Sequence, residues 1–283
     1  MERRKAETEV RTIYIGAERV GLACLKRLVA MGEHPVGVIT AHDDLRPSIA
    51  DFVSFDDVVG SLGVPFLKIK RSRDSETIDF IRGLSPDLIL VVSWSQIIPK
   101  EVLDCAPLGC IGIHYSLLPA RRGGAPLNWA LIDGLTGSGI TLFYYDEGVD
   151  TGDIIGQREF SITGDDTVKT LLDKIVLLAP DLLAEYLPRI KDGTAPRTKQ
   201  REEEATYTKR RRPEDSEIPW DKLSDEGLYN FIRALVPPYP SAFTYLGNRK
   251  LTFTVARLVD GKLWVEGTIE SQRDTVGRPA GGS

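Results

Sequence analysis

Between residue 11 and about residue 138 the chain alternates short, β-rich apolar stretches with segments whose apolar residues recur at helical spacing. No other feature constrains the fold as strongly. "RTIYIG" is an apolar run ending at Gly16, and "AERVGLACLKRLVAMG" follows with Val20, Leu25, Leu28 and Val29 on one helical face before Gly32. "HPVGVIT", "VPFLKI", "DLILVVS" and "GCIGIHY" repeat the β-rich pattern, and the stretches around 49–62 and 74–84 between them are expected to be helices. Such alternation predicts a Rossmann-like α/β fold, a mostly parallel sheet with helices on both faces. Ligands of these sheets sit at the carboxyl ends of the strands. His114 closes one predicted strand and so is positioned to line a cleft.

After about residue 138 the pattern changes. "SGITLFYYDEGVDTGDIIGQREFSI" reads as two strands around a Gly- and Asp-rich loop, and 166–191 as a long amphipathic helix. A charged stretch without apolar periodicity follows, then a short helix, "SDEGLYNFIRAL", a Pro-rich turn and three alternating segments from 241 to 270. The expected organisation is a tail at 1–10, a large α/β domain at 11–195, a linker at 196–215 and a small C-terminal β-rich, OB-like domain at 216–283. The chain closes on "GRPAGGS" with no further apolar segment, so the small domain is expected to be incomplete or completed by a partner; the oligomeric state is not readable.

Composition serves mainly to exclude. No apolar run approaches the roughly 20 residues that span a bilayer, so no membrane association is expected. Three cysteines, an odd number in 283 residues, argue against a disulfide framework and for a reducing, cytoplasmic setting. The net charge of −5 supplies no global field for nucleic acid, although local patches can do so.

Several short motifs compete as carriers of chemistry. "GAERVG" at 16–21 departs from the dinucleotide fingerprint and is better read as a tight strand-to-helix turn. Cys105, Cys110 and His114 match no usual zinc spacing, and Cys110 sits in an apolar strand where a buried thiol is common, so no metal is expected. The run "KRRR" at 209–212 could touch phosphate, but it is flanked by "REEE" and "PEDSE" and reads better as solvated linker. The strongest constellation is His114, the loop "SLLPARRGGAP" behind it, and the acidic loop with Asp146, Glu147, Asp150 and Asp153. Four carboxylates this close repel unless something separates or uses them. A solvated acidic turn or a calcium loop are the alternatives, though the spacing does not match an EF-hand. A histidine and an aspartate from two loops at one end of a parallel sheet form a candidate general acid/base pair.

At these residues the sequence resembles the folate-dependent formyltransferases. H-x-S-L-L-P followed by D-x-G-x-D-T-G-D carries the likeness, and "RRRPEDSEIPW" and "IRALVPPYPSAFTYLGNRKL" extend it to the C-terminal region. The resemblance implies transfer of a formyl group from 10-formyltetrahydrofolate to a primary amine, with His114 and Asp150 catalytic. It places the pterin between "VVSWSQIIP" and "YYDEGVD", implicating Val92, Trp94 and Ile97 on one side and Tyr144, Tyr145 and Asp146 on the other. Tyr115, Ser116 and Arg122 fall to the acceptor side, with loop structure the alternative for Arg122, and a cis bond is implied between Leu118 and Pro119. One departure stands out. The family carries N-x-H at this strand end, its Asn helping to bind the oxyanion, and here that position is Gly112. A donor of this kind is worth about 3 kcal/mol, so another group is expected to substitute.

The acceptor divides the family. The stretch "TAHDDLRPSIADFVSFDD" carries a single arginine, Arg46, where a tRNA enzyme would be expected to be basic, and "GAPLNW" is similar to the amino-sugar enzymes. A nucleotide-linked amino sugar is therefore the expected acceptor. Methionyl-tRNA is the alternative, and a non-catalytic folate- or nucleotide-binding homologue is the second alternative.

Overall fold

The fold is described from a computed structural model in which residues 10–270 are the described residues. The expected N-terminal tail, except Val10, and the closing "GRPAGGS" lie outside them. In chain order the elements are β1 (Thr12–Ile15), α1 (Arg19–Ala30), β2 (Gly37–Ala41), α2 (Asp56–Leu62), β3 (Phe66–Ile69), α3 (Ser75–Leu84), β4 (Leu88–Val91), α4 (Lys100–Leu103), β5 (Cys110–His114), β6 (Arg122–Gly123) and α5 (Pro126–Ile132). They continue as β7 (Gly137–Tyr144), β8 (Ile154–Ser161), α6 (Val168–Lys191), β9 (Tyr207–Thr208), α7 (Asp225–Arg233), β10 (Ala242–Leu246), β11 (Arg249–Val259) and β12 (Lys262–Ile269).

Seven strands form one sheet in the order β3-β2-β1-β4-β5-β7-β8, parallel from β3 to β5 and antiparallel where β7 meets β5 and β8. A separate antiparallel sheet, β10-β11-β12, closes the C-terminal region. Strand residues alternate between two cores. Ile13, Ile15, Ile89, Val91 and Cys110 pack with Ile81 of α3 and Val102 of α4, whereas Tyr14, Leu88, Leu90, Ile111 and Ile113 face α1 and α6. Each such fully buried side chain contributes about 1.5–3 kcal/mol through lost apolar exposure.

The helix expected around 49–62 begins only at Asp56; a 3₁₀ turn occupies Asp43–Ser48, and Asp51, at φ 60°, turns the chain out of helical geometry between them. α4 and α5 are short helices that periodicity over so few residues does not reveal. "GAERVG" is the tight turn expected of it: a Cβ at Gly16 or Gly21 would lie 2.8 Å from the Val92 carbonyl oxygen, so strand β4 can end against this turn only with glycine there. The strand order reverses between β1 and β4, and β5, which ends on His114, pairs in parallel with β4 beside that point.

Candidate active site

The alternation of β5 directs Cys110, Gly112 and His114 to the face packed by α3 and α4. Cross-strand pairing sets Gly112 opposite Phe143 and His114 opposite Thr141, so Phe143 shares the imidazole's face, and the two rings meet edge to face at 6.5 Å. His114 is buried, 9% exposed, at the carboxyl end of its strand. Its Nε2 lies 2.8 Å from the Arg121 carbonyl. A carbonyl only accepts, so Nε2 donates to it. Nδ1 faces Asp150 Oδ2 at 3.5 Å, and that oxygen accepts the Gly123 N–H at 2.8 Å. The two residues singled out in the sequence therefore meet, each anchored by a different part of the loop between β5 and α5.

The other expected site residues are distributed less simply. Val92 is buried where β4 ends. Trp94 is half-buried against the α3/α4 core and its Nε1 donates to Ser72 Oγ at 2.8 Å, while Ile97 is 84% exposed. Tyr145 faces the His114 side, but Tyr144 points to the opposite face, its ring under the Arg197 guanidinium at 3.7 Å. The two adjacent tyrosines cannot flank one ligand from the same side, because successive strand residues alternate. Asp146 is exposed and accepts from the Gly148 amide and the Thr151 hydroxyl, which shapes the acidic loop. Tyr115 lies on the Tyr144 side, hydrogen-bonded to Ser93. The Ser116 hydroxyl donates to the Ala120 carbonyl at 2.6 Å, inside the loop that contains the cis Leu118-Pro119 bond.

Arg122 is fully buried and turned away from the cleft. Its guanidinium donates to Gln200 Oε1, to both oxygens of Glu202 and to Tyr207 Oη, all at 2.8–3.0 Å. Of the two roles the sequence left open, facing the acceptor or holding the loop, the geometry favours the second, because burial of a guanidinium requires its donors to be paired. Cys110 is no nucleophile: burial, with Cys105 adding to it, pushes its thiol up to about 12. Among the described residues no group of three or more His, Cys, Asp or Glu is placed to hold a metal ion.

Sequence reasoning missed the contribution of the segment after α6. β9 pairs in parallel with β6, Gly124 N donates to Thr208 O, and Trp129 Nε1 donates to Lys209 O. Gln200 Nε2 braces the turn of Asp150 through the carbonyls of Asp150 and Gly152, both at 2.7 Å. "KRRR" is held against the same loop: Arg211 lies over the rings of Trp129 and Phe231, and burial lowers its pKa. Lys209, Arg210 and Arg212 stay exposed around a cleft of about 470 Å³ lined also by Trp129 and Asp215. Nothing in local composition distinguishes such a docked strap from a free linker.

The profile of the formyl transferase family matches residues 21–187, and that of the formyl transferase C-terminal domain matches residues 210–277. The chain belongs to the formyl transferase family. A methionyl-tRNA formyltransferase of Geotalea daltonii is 35% identical over 257 residues, covering 89% of this chain and 81% of that protein. The structure of a methionyl-tRNA formyltransferase from Clostridium thermocellum superposes with a TM-score of 0.65 at 25% identity, covering 93% of this chain and 100% of that one. A sugar N-formyltransferase from a Shewanella species gives a TM-score of 0.70 at 19% identity, covering 89% and 99% of the two chains. As a formyl transferase the chain is an enzyme. No helix of the described residues is long and apolar enough to cross a membrane.

Proposed function

We propose that this formyl transferase moves the formyl group of 10-formyltetrahydrofolate onto the amino group of methionyl-tRNA. His114 acts as the base for the amine and Asp150 as its partner. The pterin lies near Trp94 and Tyr145, on the side of the sheet that His114 faces. The preference for a nucleotide-linked amino sugar is set aside. It rested on the acidic stretch after β2, whereas a relative of 35% identity over most of the chain bears the tRNA enzyme's name and the sugar enzyme's likeness, at 19%, extends to the fold alone.

The observation that carries the reading is the basic strap. Lys209, Arg210 and Arg212 are exposed beside the loop that holds His114, with Asp215 the one acid in the lining of their cleft. Cations fixed beside the loop that bonds the histidine suit a polyanion whose reacting end enters the site, and a nucleotide-linked sugar offers them only the two charges of its diphosphate. Initial rates with 10-formyltetrahydrofolate and either methionyl-tRNA or a nucleotide-linked amino sugar test it. Methionyl-tRNA is expected to react, with its apparent affinity falling with a log–log salt slope of about −2 to −3 if three phosphates are neutralised. The K209E/R210E/R212E variant should raise the KM for tRNA and leave that for the folate unchanged. Formylation of the amino sugar with none of methionyl-tRNA would overturn the assignment.

A further inference from the structure

Attack of an amine on a formyl group leaves negative charge on the carbonyl oxygen, and that oxygen needs a hydrogen-bond donor. His114 cannot spare one: its Nε2 hydrogen goes to the Arg121 carbonyl, and Nδ1 is directed at Asp150. The donor has to come from elsewhere on the same face of β5 and β7.

Gly112 lies two residues before His114 on that face, and a neighbouring ring occupies the space a side chain there would take. A Cβ at position 112 would be 2.3 Å from Tyr145 Cε2 and 3.0 Å from Cζ, which is the hydroxyl-bearing edge of the ring. Tyr145 is held in this position by its amide, which donates to the Cys110 carbonyl at 2.8 Å, and by Phe143, whose ring centroid is 5.0 Å away. Three other tyrosines have committed hydroxyls: Tyr14 donates to Gly21 O, Tyr115 pairs with Ser93, and Tyr207 accepts from Arg122. The Tyr145 side chain is half-buried, and its Oη has no hydrogen-bond partner among the described residues, which leaves the hydroxyl free to meet a ligand. Burial, then the charge of Asp150, raises the pKa of this phenol, so it stays protonated and able to donate.

We infer that the phenolic O–H of Tyr145 is the donor to the oxyanion, and that Gly112 is the opening through which the ring reaches it. The inference rests on the formyl-transfer reading. In the step it describes, the amine lone pair forms the new N–C bond and the carbonyl π pair moves onto oxygen, where Tyr145 donates a hydrogen bond without giving up its proton. The amine proton goes to His114 Nδ1. As the oxyanion re-forms the carbonyl, the bond from carbon to the folate nitrogen breaks, and that nitrogen leaves with the proton, giving tetrahydrofolate and the formamide.

The Tyr145→Phe variant keeps the ring and removes only the donor. Tetrahydrofolate release from 10-formyltetrahydrofolate with methionyl-tRNA is followed for wild type, Y145F, G112A and the double variant, alongside thermal unfolding. Y145F is expected to lose a hundredfold or more in kcat, with the KM for the folate within about threefold and the unfolding midpoint unchanged. G112A, whose methyl displaces the ring, should also lose rate, and G112A/Y145F should be no slower than the slower single variant, since both remove one interaction. A Y145F rate within threefold of wild type overturns the inference while leaving formyl transfer intact. Failure of the wild type itself to release tetrahydrofolate with any amine overturns formyl transfer, and this inference with it, and the wild-type rate alone separates the two results.

Discussion

Oδ2 of Asp150 stands 3.5 Å from Nδ1 of His114 while accepting the Gly123 amide at 2.8 Å, so one carboxylate both faces the base and pins the loop that carries its other partner, Arg121. Asp150 adopts φ 55°, a left-handed conformation that aspartate tolerates better than most residues. The pair is thus built by backbone geometry as much as by charge.

Asp150→Asn keeps an oxygen for the Gly123 amide and removes the charge. We expect kcat to fall by about 10²- to 10⁴-fold, as for loss of a general acid/base partner, with His114→Ala in the same range and the double variant little worse than either. Steady-state rates beside circular dichroism check this; a D150N enzyme with near-normal kcat would remove the carboxylate from the mechanism.

Arg122→Ala should act on the strap and not on the chemistry directly. It deletes the buried donors that hold Gln200 and Tyr207, at a cost of about 2 kcal/mol, and Gln200 in turn braces the Asp150 turn. Limited proteolysis should cut the 200–208 segment faster in R122A, and the urea midpoint should drop. Glu202→Gln, altering the clamp's exposed partner, should change both far less.

Asp166 supplies a test in acid. Burial alone would raise its pKa, but Lys174 at 2.6 Å, the Thr163 amide and the Thr170 hydroxyl outweigh it and leave the group at about 2. Its folded pKa lies below the unfolded value, so the stabilisation is complete above about pH 4 and is lost as pH falls toward 2. Urea denaturation between pH 7 and 2.5 should show Asp166→Asn less stable by about 2 kcal/mol at neutral pH and converging on wild type in acid.

Glu18 predicts the opposite slope. It precedes α1, and burial followed by the charge of Asp51 pushes its carboxyl up to about 8. The folded state then binds a proton that the unfolded chain releases near its ordinary value, so stability falls as pH rises from about 4.5 to 8. Glu18→Gln should remove this decline, raising the thermal midpoint at pH 8.5 relative to wild type with little change at pH 5. Parallel pH profiles for the two proteins would exclude the effect.

The β/α alternation, the tight turn at Gly16, the strand ending on His114 and the meeting of His114 with Asp150 were legible in the sequence. Each follows from local patterning or from loops that a parallel sheet gathers at one end. For Arg122 and "KRRR" the sequence left two roles open, and the face of Tyr144 was not legible. Arg122 beside two glycines has the composition of an exposed loop, and only its pairing with Gln200, Glu202 and Tyr207, distant in the chain, turns it inward. Tyr144 and Tyr145 are identical in type, and the register of β7 against β5 sends one to each face. Gly112 shows the division most clearly: the sequence recorded a missing side chain, but the ring filling its place comes from Tyr145, just past the end of β7. Period and turn chemistry are properties of neighbours along the chain, and so were determined by sequence alone. What a buried polar group bonds to, and which side chain occupies a given volume, depend on segments brought together by folding, and only the tertiary structure decided them.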